Sequence, residues 1–202
     1  MKYTIGILIL LAIISFSVQA QQPQNPDTTK PDPDAIKTYE FPTHRERFDR
    51  YVKDTVGPMS LARSAAAAGF NQWRDTPEEW GQGMKGYGRR YASSFGRNVV
   101  QQTVTYSLDE ALGLNSDFQR SNREGFGARV KHALLETVTS RTKSGKRVLS
   151  APRLAGVYTG GVVAAEAWYP DRYSYKDGLR MGTNSLITGF GINLVREFFI
   201  NW

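Results

Sequence analysis

Cysteine is missing from this 202-residue chain. No disulfide can staple the fold and no thiolate can build a structural zinc site, so the folded part must be held by its core. A lipidated N-terminal cysteine is excluded as an anchor for the same reason. Histidine is nearly missing too, with only His44 and His132. Two imidazoles supply neither a His-rich metal centre nor a supported Ser-His-Asp assembly, and we expect no metal and no cofactor. Long apolar runs are scarce. The one long run, Ile5 to Val18, falls short of the roughly 20 residues of a membrane span. Acidic residues are scarce in one stretch: between Arg120 and Arg153 the only carboxylates are Glu124 and Glu136. No repeat recurs at a fixed period.

What is present begins with the first twenty residues. Lys2 gives a positive start, an apolar run follows, and Val18-Gln19-Ala20 places small residues at a cleavage position. This is the layout of a secretory signal peptide, so residues 1–20 are read as a leader and the protein as exported, to the periplasm or the outer envelope. An uncleaved anchor is the alternative. Residues 21–40, QQPQNPDTTKPDPDAIKTYE, are rich in proline and polar residues and read as a disordered linker. Residues 41–202 read as one helical domain, of a length that suits a single core.

The helix signals are local and numerous. Thr43-x-x-Glu46 has capping-box form, with Phe48, Tyr51, Val52 and Val56 following at helical spacing, and Gly57-Pro58 ends that helix. A second helix is predicted from about Met59 to Trp73. Thr76-Pro77-Glu78-Glu79 looks like another start, with Thr76 as cap and Pro77 in the first turn. A firm helix is predicted from near Tyr87 to Leu112, with a kink allowed at Ser107-x-x-Glu110. Residues 113–123 read as polar loop, Gly125 to Val138 as an amphipathic helix, and the segment around Ser144-Gly145 as a short basic hairpin or loop. Ser150 caps a helix to about Trp168. Ser174-x-x-Asp177 caps the last one, which reaches Phe199. The predicted fold class is all-α, a compact bundle of about five or six helices.

Small residues recur four apart. Gly156, Gly160 and Ala164 share a helix face, and Gly178, Gly182 and Gly189 lie in the last helix. Ala65/Gly69 and Ala92/Gly96 repeat the pattern. Each helical glycine costs about 1 kcal/mol relative to alanine, so the pattern needs a packing return. It is read as close helix contact inside a bundle. The alternative is an integral or membrane-inserting protein packed through GxxxG-like faces. Central charges such as Glu166, Arg180 and Arg196 oppose a simple span.

The surplus of positive charge peaks at Arg141, Lys143, Lys146 and Arg147. These four are the candidate contact with an anionic partner, whether lipid, polysaccharide or an acidic protein surface, and membrane association fits the same charge. A solvated surface without a ligand is the competing reading. Nucleic acid has only net charge behind it and is not expected as a partner. Tryptophans and tyrosines near helix ends fit either an interfacial belt or ordinary helix caps.

Three further motifs carry less. Gly81-x-Gly83-x-x-Gly86 matches a dinucleotide fingerprint, but a helix start precedes it where a strand is required. His132 and Glu136 share a helix face as an i,i+4 pair, too few ligands for a metal. Glu166 lies in an apolar context that would raise its pKa, so it is the one weak catalytic candidate, for a small envelope hydrolase. No second carboxylate is marked opposite it. The leading function is therefore a non-catalytic structural or interaction protein of the cell envelope.

Glu79-Trp80-Gly81-Gln82-Gly83, Gly86-Tyr87-Gly88-Arg89-Arg90-Tyr91-Ala92 and Phe95-Gly96 carry a resemblance. So do Gly125-Phe126-Gly127-Ala128-Arg129, Arg141-Thr142 with Gly145, Trp168-Tyr169-Pro170 and Leu194-Val195-Arg196-Glu197-Phe198. Across residues 58–199 the chain resembles a family of uncharacterised exported bacterial helical proteins. The resemblance implies an exported helical domain and brings no catalytic residue with it.

Overall fold

Helix α1 (His44–Val56) begins where the sequence says it should. The Thr43 hydroxyl accepts from the Glu46 amide at 3.3 Å, and the Thr43 amide donates to the Glu46 carboxylate at 2.8 Å. The reciprocal pair satisfies two amides that a helix start otherwise leaves open, and holds the Glu46 carboxyl below its usual range. The computed structural model describes residues 39–121 and 125–199. Residues 1–20, read as a leader, and nearly all of residues 21–40, read as a linker, lie outside the described residues. At the linker's end, Tyr39 is docked: its hydroxyl accepts from Asn115 Nδ2 at 2.9 Å, and Arg141 stands 5.6 Å from its ring centroid. Among the described residues, contacts with the bundle thus include Tyr39, two residues before Phe41.

Helices α2 (Pro58–Trp73), α3 (Gly83–Leu112), α4 (Phe126–Val138), α5 (Ala151–Ala167) and α6 (Tyr175–Phe199) complete an all-α bundle. Helix α3 runs unbroken through Ser107, where a kink was allowed. Ser150 caps α5, its hydroxyl accepting from the Arg153 amide at 3.3 Å. Ser174 donates its amide to Asp177 at 3.1 Å at the start of α6. Strands β1 (Leu114–Asn115), β2 (Thr139–Thr142) and β3 (Arg147–Leu149) form an antiparallel sheet in the order β1-β2-β3. The β2–β3 hairpin matches the turn signal at Ser144-Gly145, where Gly145 takes φ +80°. Strand β1 was read as loop, because two residues are too few to show alternation.

The Thr76-Pro77 segment departs from expectation. Only one 3₁₀ turn forms, Glu78–Trp80, and Pro77 precedes it rather than standing inside a helix. Gly81 and Gly83 take φ +67° and +77°, which break any continuation. Arg90, 1% exposed, organises the whole stretch. It donates to the carbonyls of Thr76 (2.9 Å), Pro77 (2.7 Å) and Gly81 (2.6 Å), to Gln72 Oε1 (2.6 Å) and to Asp75 (3.0 Å). Gly81-x-Gly83-x-x-Gly86 is therefore a tight turn, closed on an arginine, that runs into the first turn of α3, and a 3₁₀ turn rather than a strand precedes it.

Helix α5 lies between α3 and α6, and both seams are built from absent side chains. A Cβ on Gly156 would fall on Thr105 Oγ1 and 2.7 Å from the Gln101 carbonyl. One on Gly160 would lie 3.0 Å from the Arg97 carbonyl. Toward α6, a Cβ on Gly178 would lie 2.5 Å from Val162 Cα, and one on Gly182 2.5 Å from the Tyr158 ring. Gly161, which the four-residue pattern did not single out, faces the Gly178 carbonyl just as closely. Ala164 and Ala165 are fully or almost fully buried in the same helix. Gly189 differs: its added Cβ would meet nothing nearer than 3.9 Å, and Gly69 would meet nothing within 4 Å. The apolar interior is correspondingly made of small residues: Ala68, Ala133, Val157, Val162, Ala164 and Ala165. Trp73, Met84, Phe126 and Phe199 are three-quarters or more exposed and add little to it.

Candidate functional site

Beside the α3–α5 glycine seam, with which it shares Gln101 and Thr105, helix faces bring charge together. Thr43 sets the phase of α1, so Arg47, Arg50, Tyr51 and Asp54 fall on one side at spacings of three and four. Arg63 comes from α2, Thr105, Tyr106 and Asp109 from α3, Arg153 from the first turn of α5, and Ile192 and Arg196 from α6. Together with Asn115 to Phe118 they enclose a cavity of about 200 Å³. Asn98 fixes the α1–α2 corner beside it, donating to the carbonyls of Asp54 and Thr55 and to Ser60 Oγ at 2.9 Å.

The electrostatics of this cavity are unusual. Asp109 accepts from the Ser116 hydroxyl at 2.8 Å and from its amide at 3.2 Å, yet burial outweighs both and pushes its carboxyl up to about 6. Ser116, Ser140 and Ser150 join hydroxyls behind it, a buried network that ties β1, β2 and the α5 cap. Burial also raises Asp117, against the pull of Arg50, whose Nη1 stands 2.8 Å away. Arg153 donates to the carbonyls of Ser116 and Glu136. Arg47 pairs with Glu110. Glu110 also meets His44 at 2.7 Å, although the His44 side chain is 88% exposed.

A second charged cluster is closed to solvent. His132 and Glu136, the predicted i,i+4 pair, are each 2% exposed. The structure adds Glu197 of α6 on the other side of the ring, so each carboxylate lies 3.7 Å from a ring nitrogen. Arg129 donates to Glu197 at 3.0 Å, and the Gln119 amide donates to Glu136 at 3.2 Å. Burial nonetheless raises the Glu136 carboxyl, opposed most by Arg147. Among the described residues no group of His, Asp and Glu has the arrangement of a metal site.

The four basic candidates divide here. Arg147 and Arg141 turn inward onto Glu136, with Nη2 2.9 and 3.5 Å from its carboxylate. Lys143 and Lys146 stay outside at the hairpin tip, exposed and in no ion pair with a described residue. The division was hidden from the sequence because Glu136 and the arginines look like separate, solvated charges until β2 folds back along α4. Glu166 is half-buried on α5, makes no hydrogen bond or ion pair with a described residue, and lines no part of the cavity. Neither Arg180, which faces Asp177, nor Arg196 is joined to it.

The residues that line the cavity were not found from the sequence as a site. Their only signal was arginine and aspartate recurring at helical spacing from Arg47 to Asp54. Among the described residues no helix is long and apolar enough to cross a membrane. Comparison with family models, with curated proteins and with solved structures finds no match for the chain.

Proposed function

We propose that this is a non-catalytic, exported interaction protein of the bacterial cell envelope, which rests on an anionic lipid surface through the β2–β3 hairpin. The observation that carries the reading is the division of the basic residues. Arg141 and Arg147 are spent on Glu136 and stiffen the hairpin, while Lys143 and Lys146 are exposed and form no ion pair with a described residue. Leu149, 66% exposed, ends β3 opposite Thr139 and offers an apolar contact on the same hairpin. Lipid headgroups over an acyl boundary match that combination better than a purely polar surface does. The leader-like first twenty residues support export.

Each lysine near an anionic membrane contributes about 1 kcal/mol. The attachment is therefore weak, reversible and sensitive to salt, because the screening length shrinks to about 3 Å at 1 M. Co-sedimentation with vesicles containing 30% phosphatidylglycerol tests it. Binding at about 20 mM salt, lost at about 500 mM salt and in the Lys143→Glu/Lys146→Glu variant, is the expected result. Equal binding by that variant, or binding to an acidic polysaccharide but to no vesicle, defeats the reading.

A further inference from the structure

The hairpin lysines leave the cavity without a role, and its charges do not balance. Five guanidiniums border it, from Arg47, Arg50, Arg63, Arg153 and Arg196, against three carboxylates, from Asp54, Asp109 and Asp117. Three of the arginines are committed. Arg47 is held by Glu110 and the Leu114 carbonyl, Arg50 by Asp117, and Arg153 by backbone carbonyls. Arg63 is loosely held: its Nε donates to Met59 of its own helix at 3.3 Å, and Asp54 is 3.8 Å from Nη2. Arg196 makes no hydrogen bond or ion pair with any described residue, although it is only partly exposed. The two come from helices far apart in sequence and both border the cavity. Burial lowers the Arg63 pKa, and Arg196 lowers it further against the pull of Asp54.

We propose that this cavity binds a small organic carboxylate, with Arg63 and Arg196 as the clamp on its carboxylate group. A guanidinium offers a planar fork that matches carboxylate geometry, and two of them facing a partly desolvated space are stabilised by an anion between them. A monoanion fits better than phosphate, because Asp54 and Asp117 stand in the same cavity and repel a dianion more strongly. The uncharged wall is mixed: Tyr106, Phe118, Leu186 and Ile192 offer apolar surface to an organic body, beside amides and hydroxyls such as Gln102 and Ser185. The volume equals the share of about seven liquid waters, room for a molecule of a single ring or a short chain.

Isothermal titration of the full chain with sodium benzoate and sodium hexanoate tests this, with benzamide and inorganic phosphate as controls. At least one carboxylate should bind at one per chain, at least about tenfold more tightly than benzamide or phosphate. Arg196→Gln and Arg63→Gln should each weaken it by about tenfold or more, while Lys143→Glu/Lys146→Glu leaves it unchanged. No carboxylate binding below about 10 mM overturns the proposal, as does equal affinity for benzamide. Phosphate binding more tightly than both carboxylates overturns the ligand class. Should an arginine variant lose its cooperative helical melt, Leu186→Trp fills the cavity and keeps every charge. Undiminished benzoate or hexanoate affinity in that variant places the binding elsewhere and overturns the site.

Discussion

Helix α5 meets its neighbours in two opposite ways. From Gly156 to Ala165 it touches α3 and α6 through side chains that are not there, backbone against backbone. At its first turn, Arg153 reaches carbonyls of the β1 loop and α4 beside a cavity lined with arginine and aspartate. The first region leaves no room for a Cβ at Gly156, Gly161, Gly178 or Gly182. The second is polar and leaves space. Close packing is concentrated in the seam, and the proposed binding site lies in the region that leaves space. The same separation of rigid support from an imperfectly satisfied site is common where function is carried.

The comparison can be broken at several points. The largest effect is expected at the seam. Gly178→Val would drive side-chain atoms into the Val162 backbone, so we expect a loss of about 4 kcal/mol or failure to fold, read from helical circular dichroism during thermal melting. A soluble variant melting within a degree of the parent would show that α5 and α6 do not approach as described.

Arg90→Ala comes next. It strands three carbonyls and the Asp75 carboxylate around the 72–83 turn, and a loss of about 3 kcal/mol is expected, or roughly 10 °C in melting temperature. Urea denaturation measures it. A change under about 0.5 kcal/mol would mean that the turn is held by its glycines alone.

On the cavity side the sharpest measurement is pH dependence. The folded pKa of Asp109, about 6, lies above its ordinary value of 3.8. The native state therefore holds this proton more tightly than the unfolded chain. Its contribution is fully present below pH 4 and is lost as pH rises to about 6, by at most about 3 kcal/mol. Asp109→Asn should remove that part of the slope, so the variant gains on the parent between pH 4 and pH 7 in urea titrations. Parallel curves would place the Asp109 carboxyl in ordinary solvent.

The smallest effect separates two kinds of glycine. Gly189 borders the cavity and has room for a Cβ, so Gly189→Ala should stabilise by about 0.5–1 kcal/mol through helix propensity. The same change at Gly161 should destabilise, since its Cβ meets the Gly178 carbonyl. If both substitutions moved the melt in the same direction, the distinction between seam and cavity would fail.

Much of this was legible beforehand, for a local reason. Caps at Thr43, Ser150 and Ser174 act within three residues, so the helices they start were placed within a residue or two. The Ser144-Gly145 turn marked the hairpin by the same short-range logic. Glycines four apart announced close helix contact, but spacing alone could not tell Gly178 from Gly189, because the difference lies in what faces them. Arg90 read as one basic residue in a glycine-rich stretch; that it gathers five acceptors depends on how the chain doubles back over it. The cavity was illegible for the same reason, since Arg63 and Arg196 are separated by most of the folded chain.

The linear order of residues determined the all-α class, the helix starts at Thr43, Ser150 and Ser174, and the small-residue faces, because capping, backbone conformation and helical periodicity act over one to four positions. Only the tertiary structure decided which charges neutralise one another: Arg141 and Arg147 turn in to Glu136, Lys143 and Lys146 are exposed, and Arg63 and Arg196 border one cavity, Arg196 in no ion pair with a described residue. Coulomb energy and desolvation depend on distance through space and on what displaces water, and neither quantity exists until the helices have packed.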